Sequence, residues 1–258
     1  MKKSIRYRII LVIGRLLCPR STVEFEAGED FEPGVIVCNH AAMRGPIMMT
    51  LYYKRPHKNW VITYALDREK TANFAFHDFF VGKGRRVKWF WRFLSRIVKH
   101  VLPHVMEQAG SIAVYHDGRI VKTFRESIAA LEAGEDIVVF GESPERYSEY
   151  VNKMQQGVID LAALYYRRTG KRLAFYPAYV EKKNRKIKVA PPIYYDPEKP
   201  QAQQREETAD MISSEIDRMA RSMKPHRPVP FLPELWYRAY GEYEHDFDKY
   251  WQMIENGK

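Results

Sequence analysis

A chain of 258 residues, 45% of them apolar, is long enough to bury a substantial core as one large domain or two small ones, which excludes a disordered or fibrous chain. Its 42 Lys and Arg against 32 Asp and Glu leave a formal charge of +10, which favours anionic partners: nucleic acid, anionic lipid headgroups or phosphorylated substrates. Only Cys18 and Cys38 are present, in no metal or redox spacing, which argues against a disulfide framework or a structural zinc site and for a reducing cytoplasm.

The N-terminal stretch MKKSIRYRIILVIGRLLCPR places basic residues before an apolar run. Arg15 interrupts that run and no small-x-small cleavage site follows, so it does not read as a secretory signal. The run is also shorter than the about 20 apolar residues a bilayer span needs. A basic amphipathic helix over residues 1–20 is expected, either packed on the core or lying in a membrane interface.

Residues 23–25 (VEF), 35–38 (VIVC) and 60–65 (WVITYA) read as strands, the second a continuous apolar run as in a strand covered on both faces. Over residues 88–102 the helical spacing of Phe90, Phe93, Leu94, Ile97, Val98 and Val101 predicts a helix with Lys88, Arg92, Arg96 and Lys99 largely opposite, stopped by Pro103. SIAVY (111–115) is the next strand, then a turn at Asp117-Gly118 and a helix with Val121, Phe124, Ile128 and Leu131 on one face, closed by Gly134.

DIVVF (136–140) reads as a buried strand, followed by a long helix through Met154, Val158, Leu161, Ala162 and Tyr165 that Gly170 ends. LAFYPAYV (173–180) and KIKVA (186–190) read as a strand pair around the basic turn KKNRK, and residues 203–222 as a last amphipathic helix through Ile212, Ile216 and Met219. Four prolines in residues 224–233 predict an extended connector, with a short helix after it packing back on the domain. The alternation predicts an α/β fold: a mixed, mostly parallel sheet flanked by helices, antiparallel near 173–190. Three parts are expected: the helix at 1–20, an α/β domain at 21–223, and a connector with a C-terminal helix at 224–258.

Open α/β sheets bind ligands beyond the carboxyl ends of their strands, which singles out Asn39-His40, His116-Asp117 and Gly141-Glu142. His40 has a side chain that titrates near neutrality and could take a proton from an attacking hydroxyl; taken alone it reads first as a hydrogen-bonded structural histidine, and its neighbours shift the reading towards a base. Ala41, Ala42 and Gly45 leave room beside it, and Arg44 brings charge suited to a phosphate or an oxyanion. Glu142, before Ser143-Pro144, reads equally as a carboxylate at the site and as an N-terminal helix acid. His116-Asp117-Gly118-Arg119 reads first as a turn.

The order of a strand with NH and a small loop, then GSIAVYHD, VVFGE, QGVIDLA and YPAYV, resembles the glycerolipid (lysophospholipid) acyltransferase superfamily, which includes the 1-acylglycerol-3-phosphate acyltransferases. The resemblance runs from about Val35 to Pro192 and rests on block order and spacing. It implies the glycerol-3-phosphate acyltransferase-like fold, with His40 as the base for the acceptor hydroxyl in a block N-H-x-x-x-x-D. Gly45 stands where that block has the aspartate that orients the histidine, and divergent bacterial members resembling this chain carry Gly-Pro there. In the second block, the arginine that helps bind the acceptor phosphate falls near His116, with Arg119 three residues on. The third block, F-P-E-G-T-R, appears as FGESPER: Phe140 and Glu142 match, Gly141 replaces proline, Ser143 follows, and arginine comes one position late as Arg146. Pro177 matches the fourth block.

The resemblance implies acyl transfer from acyl-CoA or acyl carrier protein to a lipid acceptor, with His40 and Glu142 catalytic, Arg44, Arg119 and Arg146 on phosphate, and no metal or bound cofactor. A triad histidine without its carboxylate loses about four orders of magnitude in rate, and Asp117 or Glu142 could approach His40 Nδ1 from another strand end. A second reading is a membrane-surface, lipid-binding protein that keeps the fold without the activity; it rests on Gly45 and on the basic, aromatic segment at 82–100, itself also readable as a core helix. No nucleic-acid motif appears, so nucleic acid is not an expected partner. The expected location is cytoplasmic, peripheral to the inner face of the cell membrane.

Overall fold

The apolar run VIVC forms a strand whose four residues are all buried, and it lies in the middle of the sheet, as a strand without polar alternation must. The computed structural model describes residues 3–18, 20–80, 88–143 and 150–231. In chain order the elements are α1 (Ile5–Leu17), β1 (Thr22–Phe25), β2 (Val35–Cys38), α2 (Arg44–Tyr52), β3 (His57–Ile62), α3 (Arg68–Phe79), α4 (Lys88–Ala109), β4 (Ile112–Val114), α5 (Ile120–Glu132), β5 (Asp136–Val139), α6 (Asp160–Thr169), β6 (Ala174–Glu181), β7 (Lys186–Val189), β8 (Ile193–Tyr194) and α7 (Gln201–Arg221).

Among the described residues the sheet has eight strands in the order β1-β7-β6-β2-β5-β3-β4, with β8 paired to β6. β2 runs parallel to both β5 and β6, and β3 parallel to β5 and β4; only β6–β7 and β6–β8 are antiparallel. The expected mixed, mostly parallel α/β sheet is the one observed. Strand periodicity divides the core: Val35, Val37, Ile137 and Val139 face one apolar layer with residues of α5, α6 and α7, while Ile36, Cys38 and Val138 face another with Met48 and Met49 of α2. Each such aliphatic side chain, fully buried, contributes roughly 1.5–3 kcal/mol.

Proline within the buried strand β6 has a specific consequence. The Ala190 N–H donates to the Pro177 carbonyl at 2.9 Å, but Pro177 has no N–H to return the bond. The β6–β7 ladder accordingly covers Ala178 to Glu181, and beyond Pro191-Pro192 the chain pairs again as β8, opposite Ala174 and Phe175. Pro177 marks the point where β6 exchanges one partner for the other.

Several elements differ from the sequence expectation. The strand expected at 60–65 begins earlier, at His57, and gives way at Thr63 to a 3₁₀ turn. The helix expected to stop at Pro103 continues to Ala109 with Pro103 buried inside it, because its packing against α3 outweighs the loss of one backbone bond. The helix expected from Met154 starts only after a 3₁₀ turn at Gln156–Ile159, and Met154 instead bridges Glu142. Helices α2 and α3 and strand β8 carry no strong periodic signal and were not expected. Val121 is exposed, off the buried face of α5. The residues expected to form a C-terminal helix, 234–258, lie outside the described residues, as do residues 82–87 of the basic aromatic segment.

Helix α1 is capped by Ser4, whose Oγ accepts the Tyr7 N–H at 3.2 Å. It is tied to α4 by the Ser4 N–H to Gln108 Oε1 at 2.8 Å and by Arg6 to the His100 carbonyl at 3.0 Å. Tyr7 is its one buried residue, while Ile5, Ile9, Val12, Ile13, Leu16 and Leu17 form an exposed stripe at helical spacing. Trp89, Phe90, Phe93 and Ile97 on α4 are exposed too. Both helices thus pack on the protein by one face and leave apolar side chains exposed on another.

Candidate active site

β2 and β5 end side by side, and the residues after them meet at the carboxyl edge of the sheet. Asn39 prolongs β2 with its side chain: Oδ1 accepts the Val180 N–H at 2.7 Å and Nδ2 donates to the Val180 carbonyl at 3.2 Å. The amide thus stands in for a peptide group against β6 and fixes where the chain leaves the sheet. Ala41 and Ala42 then both adopt the left-handed conformation, with φ of 47° and 52°. For residues with a Cβ that costs about 1–2 kcal/mol each.

The turn so formed brings the Ala42 carbonyl onto His40 Nδ1. A carbonyl has no proton to give, so Nδ1 carries the proton and Nε2 presents its lone pair. The group that orients His40 is therefore a main-chain carbonyl two residues on. Burial of the ring holds its pKa down at about 4, with the Ala42 bond opposing. Phe140 packs edge-on at 5.7 Å between centroids and Phe231 at 4.2 Å, while the Pro230 carbonyl accepts the Ala42 N–H at 3.0 Å.

Glu142 comes from the neighbouring strand end but does not touch the imidazole. Its Oε2 accepts the His40 backbone N–H at 2.8 Å and its Oε1 the Asn152 N–H at 2.9 Å, so it clamps the chain after β2 to the segment at 152–154. Burial lifts its carboxyl to about 7, against the pull of those two N–H bonds. Its neighbours serve the same clamp. The Gly141 carbonyl accepts the Gln155 N–H at 2.7 Å, and Ser143 donates its N–H to the Lys153 carbonyl at 2.8 Å while its own carbonyl takes Asn152 Nδ2.

The two pKa shifts oppose one another in stability. Between pH 4 and 6.5 the unfolded chain protonates His40 and the folded one does not, so stability falls as pH falls; between 4.5 and 7 folded Glu142 holds a proton the unfolded chain releases, so stability falls as pH rises. The slopes cancel where they overlap. In Glu142→Gln the His40 slope of about 1.4 kcal/mol per pH unit is expected to emerge between pH 4.5 and 6.5, measured by urea unfolding.

Three expected site residues are not brought to His40. β4 lies three strands from β2, about 14 Å at the usual spacing. Beyond it His116 is exposed, and Asp117 is held by Arg119 at 2.7 Å, which pulls its carboxyl down to about 2. The Arg119 guanidinium also covers the Tyr115 ring at 4.5 Å. Neither of the two carboxylates that could have approached Nδ1 does so, because Asp117 is committed three strands away and Glu142 to backbone donors. Arg146 lies outside the described residues.

Gly45 has a steric explanation. Its N–H donates to the His40 carbonyl at 3.0 Å at the start of α2, and a Cβ there would stand 2.6 Å from the His40 carbonyl oxygen and 2.7 Å from that of Asn39. Both obstacles are main chain, so a side chain would force α2 off the strand end. Gly45→Asp is accordingly expected to cost about 1–3 kcal/mol of stability and to lower activity, not to restore a missing partner; thermal melts and the acyl-transfer assay below check both. Arg44 opens α2, with its Nε buried and without a hydrogen-bond partner. A cation at the positive end of a helix, with a buried donor unmet, fits a site that receives an anion.

Of the residues singled out from the sequence, Glu142 and Phe140 lie against His40 and Arg44 opens the following helix; the left-handed Ala41-Ala42 turn and the return of Pro230-Phe231 were not expected. Alanine carries no sign of a left-handed conformation, and the second contact joins residues almost 190 apart. Among the described residues no group of three His, Cys, Asp or Glu side chains is placed to hold a metal.

The chain is similar to the crystal structure of the 1-acyl-sn-glycerophosphate (LPA) acyltransferase PlsC from Thermotoga maritima, with a TM-score of 0.44 and 14% identity over 85% of this chain and 81% of that one. No family model matches the chain, and no curated protein does.

Proposed function

We propose that this protein transfers an acyl group from acyl-CoA or acyl carrier protein to a hydroxyl of a lysophospholipid or similar glycerolipid acceptor, with His40 as general base. The observation that carries this reading is the His40 ring at a strand's carboxyl end, its Nδ1 fixed by the Ala42 carbonyl so that Nε2 is the acceptor. Position and tautomer are what a base needs, and here they come without a carboxylate. Nε2 takes the acceptor's hydroxyl proton, the alkoxide attacks the thioester carbonyl, and the C–S bond breaks as His40 returns the proton to the leaving thiolate. Arg44 holds the acceptor phosphate, and Glu142 keeps the His40 backbone in place. The donor is a co-substrate and no bound cofactor takes part. Incubating the purified protein with lysophosphatidate and palmitoyl-CoA is expected to yield phosphatidate and free CoA; absence of both, with other lysophospholipid acceptors and with acyl carrier protein as donor, defeats the reading.

The reaction's place is the surface of an anionic membrane. The exposed stripe of α1, beside Lys3, Arg6, Arg8 and Arg15, and the exposed aromatics of α4, beside Lys88, Arg92, Arg96 and Lys99, combine apolar area with positive charge as interfacial helices do. No helix of the described residues is long and apolar enough to cross a membrane. The protein is expected to float with anionic liposomes at low salt, and Leu16→Glu, on a side chain 80% exposed, to release most of it without changing its melting temperature. Flotation in a protein that gives no product would favour the alternative, a lipid-binding protein without the activity.

A further inference from the structure

The segment after α7 runs along the carboxyl edge of the sheet and meets the candidate base at residues 230–231. At 224–226 it is held by a few side-chain bonds: Asn184 Nδ2 to the Lys224 carbonyl and Lys183 Nζ to the Pro225 carbonyl, both at 3.3 Å and from the surface, and the hydroxyl of the buried Tyr179 with His226 Nε2 at 2.9 Å. At 230–231 it meets the site twice. The Pro230 carbonyl accepts the Ala42 N–H, and the Phe231 ring lies against the His40 ring.

These two contacts have the chemistry of an acyl group: a carbonyl oxygen on a backbone donor beside the base, followed at once by an apolar body over the imidazole. Ala42 is also the residue whose carbonyl fixes His40 Nδ1, so its peptide N–H is held in register with the ring by the same left-handed turn. A main-chain donor held rigidly beside a general base is the arrangement that stabilises a tetrahedral oxyanion in acyl transfer.

We propose that the Ala42 N–H receives the thioester carbonyl oxygen as the tetrahedral centre forms, and that in the resting protein Pro230-Phe231 occupies this position as an internal stand-in for the acyl group. The inference rests on the acyl-transfer reading above. The acyl donor displaces the strap: its carbonyl replaces that of Pro230 on Ala42, and its chain replaces the Phe231 ring beside His40. The acceptor alkoxide then adds to the carbonyl carbon, the oxyanion sits on the Ala42 N–H, and collapse expels the thiolate, which takes the proton from His40. Opening also rehydrates His40 and raises its proton affinity, which burial under the strap holds low.

The test uses the whole chain and a non-reactive ketone analogue of palmitoyl-CoA, in which a methylene between the sulfur and the carbonyl keeps the carbonyl oxygen but removes the thioester. On binding the analogue, amides of residues 224–231 are expected to exchange hydrogen several-fold faster, while the Ala42 N–H stays protected by its new acceptor. Phe231→Ala is expected to lower the KM for palmitoyl-CoA about three- to ten-fold. Replacing Ala42 by its α-hydroxy acid, lactic acid, exchanges only the N–H for an ester oxygen and is expected to lower kcat by about 10²–10³ with little change in KM. Slower exchange at 224–231, or a raised KM in Phe231→Ala, would make the strap a wall of the acyl pocket and overturn its role while leaving acyl transfer standing. An unchanged kcat in the lactic acid variant removes Ala42 as the donor. Failure of both the wild type and Phe231→Ala to bind the analogue refutes the acyl-donor reading itself, and the inference with it.

Discussion

In His40→Ala, product formation from lysophosphatidate and palmitoyl-CoA is expected to fall by about 10²–10⁴, the usual worth of a general base. The ring lies on the protein through one carbonyl bond, edge contacts with two aromatics and its backbone bond to Glu142. Only the last survives in the variant. It holds the strand end in place, so the loss is expected in kcat with the fold intact, which circular dichroism and a melt will check. The same geometry sets the pH profile of the wild type. Burial disfavours the imidazolium and places its pKa at about 4, so the free protein keeps the base neutral down to that pH. The acid limb of kcat/KM, which reports the free protein, is expected near pH 4–5 and not near 6.5. A limb at 6.5 would mean that His40 is hydrated in the resting state.

The largest effect on stability is expected at the opposite, amino end of the same strands. Asp136 opens β5 fully buried and accepts four bonds: Tyr53 hydroxyl at 2.8 Å, Arg55 Nε at 2.8 Å, Arg55 Nη2 at 3.4 Å and the Gly34 N–H at 3.3 Å. Arg55 in turn donates to the carbonyls of Glu29 and Phe31 and lies 3.8 Å over the Phe31 ring. This knot ties the loop before β2, the start of β3 and the start of β5; the other ends of β2 and β5 carry the site. The neighbouring Tyr53 hydroxyl is pushed up by burial and then by Asp136, as expected of a donor that must stay neutral beside a carboxylate.

Asp136→Ala leaves a largely buried guanidinium and a buried hydroxyl without their acceptor and is expected to cost about 3–5 kcal/mol. Against the 5–15 kcal/mol typical of a domain, that is roughly a fifth or more of the total. Urea unfolding should show a lower midpoint with an unchanged m-value. Asp136→Asn, which keeps an acceptor in the same place, should cost less. An Asp136→Ala protein as stable as the wild type would show that the knot does not hold these strands together.

Periodicity and punctuation made much of the fold legible. The runs VIVC and DIVVF are buried on both faces because they lie inside a parallel sheet, and an apolar run of four has nowhere else to go. Gly134 and Gly170 end their helices at positive φ, where glycine is unstrained. Pro103 misled because a local rule met a helix pair whose packing outweighs one absent hydrogen bond. Helix α2 was illegible because Gly45-Pro46 near its start signals a turn as readily as a first helical turn.

The sequence by itself determined that His40 and Glu142 would each stand at the carboxyl end of a buried strand, since both follow apolar runs that can only pair within the sheet; that β2 and β5 are neighbours came from the strand order. Strand order decided the rest. It sent Asp117 and Arg119 to the far edge, where they pair with each other, and it left Glu142 to bind backbone N–H groups. The orienting contact on His40 comes from a main-chain carbonyl, which every residue has, so no residue type could announce it. Gly45 stands at the expected aspartate position for a reason that only three dimensions supply: two carbonyl oxygens occupy the space a side chain would need.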